Sequence, residues 1–151
     1  MTPEERLAEL GLAVPEVAKP LASYVPAVRS GQHVYTAGQL PLREGELITT
    51  GKVGGEVTEE QALECARQCG LNALAAVRAE MGELSAIKRV VKVVVFVAST
   101  PNFTGQPAVA NGASDLFGEV FREAGRHARS AVGVAALPRD APVEVELVVE
   151  V

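Results

Sequence analysis

The chain has 151 residues, a length suited to one domain. Hydrophobic residues make up 48% but aromatics only 4%, with no Trp, so the core must be built mostly from Val, Ala and Leu. A formal charge of −5, no run of about 18 apolar residues and only two cysteines, four apart, argue against an electrostatic nucleic-acid footprint, a membrane span and a secreted disulfide framework. The N-terminus lacks the basic-then-apolar order of a signal peptide, so the expectation is a soluble cytoplasmic protein.

In chain order, Thr2-Pro3-Glu4-Glu5 predicts a helix start. Thr2 caps, Pro3 suits the first helical position and Glu5 completes a capping box. This helix runs to about Leu10, with Gly11 ending it and Leu7 and Leu10 docking it. Pro15 to Pro20 reads as an extended linker. Tyr24–Ser30 is the first strand, placed at an edge by Pro26. A turn at Ser30-Gly31-Gln32 leads to a second strand, His33–Leu40, where Val34, Thr36, Gly38 and Leu40 alternate with Tyr35, Ala37 and Gln39. A glycine inside such a pattern marks either a bulge or a close backbone approach, for instance by a ligand. Pro41–Lys52 holds a turn at Glu44-Gly45 and a short strand at Glu46–Thr49.

Thr58-Glu59-Glu60-Gln61 is a second capping box, opening a helix to about Met81 with Gly82 as its stop. Ala62, Cys65, Cys69, Ala73, Ala76 and Val77 form one stripe of mostly small residues that can sit close to a sheet. Leu84–Lys88 forms a helical turn. Val90–Ala98 is nearly all apolar and reads as a central strand covered on both faces. After a loop at Ser99–Gly105, a third helix spans about Gln106–Ala124, with Val109, Leu116, Phe117, Val120 and Phe121 facing the core and Gly125 as the stop. Its middle, Asn111-Gly112-Ala113-Ser114, is weak helix material, which makes Ser114 a candidate late N-cap. Residues 127–146 then read as two closing strands around a Pro-containing turn.

This order predicts an α+β two-layer fold, a mixed sheet of about five or six strands with two main helices on one face. The other face of so Val-rich a sheet needs cover, which predicts a homo-oligomer.

The closing strands hold the candidate chemistry. An arginine such as Arg129 stays charged and grips both oxygens of a carboxylate, although a salt bridge at a strand end is the plainer role. Glu144 can hold or activate a water, although glutamates alternating at 144, 146 and 150 are ordinary on a solvated strand face. If the strands turned symmetrically about Arg139/Asp140, Arg129 would face Glu150, leaving Glu144 about 20 Å away at ~3.4 Å per residue. If Glu144 faces Ala131, Arg129 becomes its diagonal neighbour at ~7–8 Å. One small ligand reaches both only in the second register, or with the glutamate supplied by another subunit. Cys65 and Cys69 read as core residues, and with only His33 and His127 elsewhere they make a poor zinc case. His127 reads as a turn histidine, with adjustment of the charge around Arg129 as the less plain alternative.

Val34-Tyr35-Thr36-Ala37-Gly38-Gln39-Leu40-Pro41 resembles the second-strand motif of the YjgF/RidA family. Ala128-Arg129-Ser130, Val132, Leu137-Pro138 and Val143-Glu144-Val145-Glu146 resemble its C-terminal signature. Val93–Val97 is similar to its central strand, and Gly31 to its first hairpin. The likeness covers about residues 23–151, leaving 1–22 as an added N-terminal helix and linker. It implies a chorismate-mutase-like fold and a homotrimer with intersubunit sites. The implied reaction is hydrolysis of reactive enamines or imines of amino-acid metabolism to 2-oxo acids and ammonia, with no metal or cofactor. By the same likeness, Arg129 binds the substrate carboxylate, Glu144 lies near the attacking water, Tyr24 lines the pocket from the neighbouring subunit, and Asn111 is a polar pocket residue. Gly38 joins the substrate-binding set. Many members carry a cysteine two positions after the arginine; here that position is Ala131. Two alternatives stay open: a trimer that binds small carboxylates without turnover, and the endoribonuclease or translation-inhibitor activity often ascribed to the family. The acidic balance weighs against the latter.

Overall fold

The structure is a computed structural model describing residues 1–151. Helix α1 spans Pro3–Glu9 behind the expected capping box, in which Thr2 Oγ1 accepts from the Glu5 amide and Glu5 Oε2 accepts from the Thr2 amide. Leu7 is buried and joins the main core, whereas Leu10 is 40% exposed and serves only as the C-cap. Arg6 Nη1 donates to the Val120 carbonyl, and the Leu84 amide donates to Glu4, so α1 is tied down at both ends.

The main sheet has five strands: β1 (Ala27–Ser30), β2 (His33–Thr36), β5 (Arg89–Ala98), β6 (Ala128–Val134) and β7 (Val143–Glu150). They lie in the order β1-β2-β7-β5-β6, and only β5 and β6 run parallel. A separate two-stranded hairpin joins β3 (Leu42–Arg43) to β4 (Glu46–Leu47). Strand β1 begins only after Pro26 and is an edge strand, as its proline requires. Strand β2 stops at Thr36, short of the expected Leu40, for a reason that lies at the candidate site.

The two long helices, α2 (Glu59–Met81) and α3 (Gln106–Phe121), cover one face. Helix α2 packs on β1, β2 and β7, and α3 on β5 and β6. Thr58 and Gln61 cap α2 reciprocally, and Gly82 at φ 90° ends it. Helix α3 runs unbroken through Asn111–Ser114, so Ser114 is not an N-cap. The weak helix former there is a packing requirement: a Cβ on Gly112 would overlap the Leu63 carbonyl of α2. Gly112 permits the close crossing, which outweighs its poor helix propensity. Helix α3 ends at Phe121 with Arg122 as its C-cap, and a short 3-10 turn, Arg122–Gly125, follows.

On β7, Val143, Val145, Leu147 and Val149 are buried under the helices, in register with Val93, Val95 and Val97 of β5. The opposite face carries half-buried Val94, Phe96 and Val148, with Tyr35 and Val132 exposed. Within one chain β5 is therefore covered on its helix side only. The closing strands do not form a hairpin, because β5 lies between β6 and β7. No helix is long and apolar enough to cross a membrane.

Candidate functional site

Glu144 is held on β7 beside an irregularity in β2. Tyr35 pairs with Val148, but the next bridge joins Gln39 to Val145. One extra residue therefore bulges from β2 between them. Thr36 Oγ1 accepts from the Leu147 amide at 3.0 Å where the ladder breaks, and Gln39 and Val145 exchange both backbone bonds at 2.8 and 3.0 Å. Gly38 lies inside the bulge. A Cβ there would stand 2.7 Å from Glu144 Cδ. Both readings of the glycine hold, and the group approaching its backbone is the Glu144 side chain.

Burial, and secondarily the neighbouring Glu146, raise the Glu144 carboxyl above the usual carboxylate range. It faces a cavity of about 430 Å³ that Gly38, Tyr24, Leu21, Leu40 and Pro138 also line. The Tyr24 hydroxyl accepts from the Leu21 amide at 3.0 Å, fixing the linker over this cavity. Tyr24 and Glu144 of the same chain thus share one cavity. Asn72, buried in α2, donates to the carbonyls of Leu40 and Leu42, both at 2.9 Å, and accepts from Gln68. That buried amide fixes the chain leaving Gly38.

Arg129 belongs to a different constellation. On edge strand β6 it pairs with Val93, whose side chain points to the helices, so Arg129 points to α3. Its Nη1 donates to Asn111 Oδ1 at 2.8 Å and Ser114 Oγ at 3.1 Å, and Nη2 donates to the Pro107 carbonyl at 3.3 Å. Nε–H and the second Nη2 hydrogen have no partner within the chain, leaving two donors for a carboxylate. Asn111 and Arg129 are thus brought together. Ser114 Oγ also lies 2.8 Å from His127 Nε2, and His127 Nδ1 lies 2.6 Å from the Gly125 carbonyl. Ser114 was visible in the sequence only as a cap, and His127 as a turn residue or a charge near Arg129, with no link between the two. The partners of Ser114 are 13 and 15 positions away, beyond any local pattern.

The two constellations do not meet in one chain. The row through Arg129 contains Val93 and Leu147, and that through Glu144 contains Phe96 and Val132. Two strand spacings and three residues separate them, about 14 Å between Cα atoms at ~4.8 Å per strand and ~3.4 Å per residue. They also project from opposite faces. Neither hairpin register applies, because the intervening β5 removes the direct β6–β7 pairing both assumed.

Cys65 and Cys69 are buried in α2. Burial raises the Cys65 thiol to about 11 and the Cys69 thiol well above its ordinary value, so neither is a nucleophile at neutral pH. No three His, Cys, Asp or Glu side chains converge to hold a metal ion.

Residues 4–151 match the family described as "YjgF/chorismate mutase-like, putative endoribonuclease". The chain is 47% identical over 145 residues to Protein TCP17 of Trypanosoma cruzi, covering 95% of this chain and 91% of that protein. It is 34% identical over 140 residues to the 2-iminobutanoate/2-iminopropanoate deaminase of Dermatophagoides farinae, covering 91% and 93%. Among solved structures, Atu1372 of Agrobacterium tumefaciens superposes with a TM-score of 0.93 at 47% identity, covering 99% of this chain and 92% of that one.

Proposed function

The chain belongs to the YjgF/RidA family, and on that premise we propose that it hydrolyses small enamine or imine intermediates of amino-acid metabolism to 2-oxo acids and ammonia. The carrying observation is the pair of complementary half-sites. Arg129 keeps two donors for a carboxylate, and Glu144 is a carboxyl of raised proton affinity at the wall of a cavity.

In this reading Arg129 anchors the substrate carboxylate, which fixes the adjacent C=N carbon in space. Glu144 takes a proton from a water as the water oxygen bonds to that carbon, and returns it to the imine nitrogen, giving a neutral carbinolamine. The same carboxyl then takes the carbinolamine hydroxyl proton and passes it to the nitrogen as the C–N bond breaks, so the carbonyl forms and ammonia leaves. Raised proton affinity makes the carboxyl a stronger base than an ordinary carboxylate. An enamine enters the same route after protonation at carbon. Ala131 supplies no thiol, and no step needs one.

Because the two groups project from opposite faces of one chain, the reading completes each site with a second copy, and it takes from the family likeness a homotrimer with Arg129 of one subunit opposite Glu144 of the next. The half-buried face with Val94, Phe96 and Val148, exposing Tyr35 and Val132, supports such an interface. The test is ammonia and 2-oxo acid release from an imine generated in situ. Wild type should exceed Arg129→Ala well above background. Equal rates would overturn the reading. Stabilisation by 2-oxobutyrate without turnover would replace it with a carboxylate-binding role.

A further inference from the structure

Arg129 is connected to a buried turn by a chain of hydrogen bonds that runs in one direction. The Gly125 carbonyl only accepts, so His127 Nδ1, 2.6 Å away, carries a hydrogen. In the neutral ring Nε2 is then the acceptor, and the Ser114 hydroxyl donates to it across 2.8 Å. That commits the hydroxyl hydrogen and directs an Oγ lone pair to Arg129 Nη1 at 3.1 Å. The terminal anchor is packed tightly: Gly125 is buried, and a Cβ there would overlap the Phe117 carbonyl. The Phe117 ring meets the His127 ring edge-on at 6.0 Å and 83°, limiting its rotation. Asn111, the other side chain on Nη1, is exposed and has no comparable support.

We propose that Ser114 and His127 are positioning residues, a relay from Arg129 through both to the Gly125 carbonyl that holds the guanidinium ready for a carboxylate. The inference rests on Arg129 being the carboxylate grip. The relay fixes Nη1, so the free Nε–H and Nη2–H keep one orientation and less rotamer freedom is lost when the ligand arrives.

Two substitutions at one position test it. Gln places an oxygen near the position of Nε2 and can accept from Ser114, whereas Asn places a nitrogen near Nδ1 and retains only the bond to Gly125. Ser114→Ala and His127→Asn should each raise the Kd of 2-oxobutyrate, and the KM of an imine generated in situ, about tenfold, the scale of a hydrogen bond to a charged group, with kcat within about threefold. His127→Gln and Ser114→Thr should recover most of the affinity. If His127→Asn retains affinity and His127→Gln loses it, the histidine merely fastens its turn and the proposal fails. Equal affinities for all these variants and wild type overturn it too. Nitrogen-15 NMR of the free protein decides the relay without ligand: the Nδ1–H tautomer is expected, with Arg129 Nη resonances resolved in wild type and averaged in Ser114→Ala. The Nε2–H tautomer, or unchanged Arg129 signals, overturns it. Binding of 2-oxobutyrate equal in wild type and Arg129→Ala sinks the carboxylate reading instead, and the NMR result still judges the relay.

Discussion

Arg129 and Glu144 project from opposite faces of one sheet, with β5 between their strands. Arg129 is bound to α3, and Glu144 lies against Gly38 on the face the helices leave open. In the proposed reading, a ligand that touches both lies between two copies of the chain.

The arginine makes a directional contact, which separates charge from geometry. Arg129→Lys keeps the charge but cannot reproduce contacts to Asn111, Ser114 and Pro107 together with a two-point carboxylate grip. Steady-state kinetics on an imine generated in situ should show kcat/KM reduced about 100-fold in Arg129→Lys and at least as much in Arg129→Ala. A lysine variant close to wild type would mean that charge alone suffices.

Glu144 is expected to leave a chemical and a thermodynamic signature. Glu144→Gln should lower kcat by about 100- to 10,000-fold. For stability, burial and Glu146 raise the folded-state pKa. The folded chain thus takes up this proton before the unfolded chain does as pH falls. The charged group weakens the fold above the raised pKa, and that penalty disappears below the unfolded carboxylate range. In the Arg129→Ala background, which removes the guanidinium that the proposed shared site would bring from another subunit, Glu144→Gln should raise Tm at pH 8. The gain should close as pH falls toward about 4. A gain that grows with acidity would contradict the assigned sign.

Gly38 acts through Glu144. An alanine methyl would stand 2.7 Å from Glu144 Cδ and displace the carboxylate. Gly38→Ala should lower kcat nearly as far as Glu144→Gln, and the double variant should be little worse than either. Additive losses in that cycle would assign the glycine a separate role.

Thiol chemistry should be silent. With Cys65 at about 11, Cys69 fully buried and Ala131 on β6, iodoacetamide at neutral pH should leave turnover unchanged. Time-dependent inactivation would show a thiol acting in the reaction.

Much of this was legible because the signals are local. The capping boxes at Thr2 and Thr58, the stop at Gly82 and the small-residue stripe of α2 each depend on residues within a turn or two. What could not be read depends on distant partners. Gly112 looked like weak helix material because its reason is the Leu63 carbonyl on another helix. Gly38 marked a close approach, but nothing local names Glu144 as the group approaching. The closing strands looked like a hairpin because they are consecutive, yet β5 separates them through its parallel pairing with β6. Arg129 and Glu144 were identifiable as residue types, whereas their placement on opposite faces follows from that insertion.

Subunit complementation tests the central claim most directly. Arg129→Ala and Glu144→Gln, each inactive alone, are unfolded together, refolded at equal ratio and assayed for imine hydrolysis. If each site takes Arg129 from one copy and Glu144 from another, random mixing pairs two intact halves in about one quarter of the interfaces. The mixture should then recover about a quarter of wild-type activity. Activity no higher than that of the separate variants, with mixed oligomers verified by mass, would contradict a site shared between subunits.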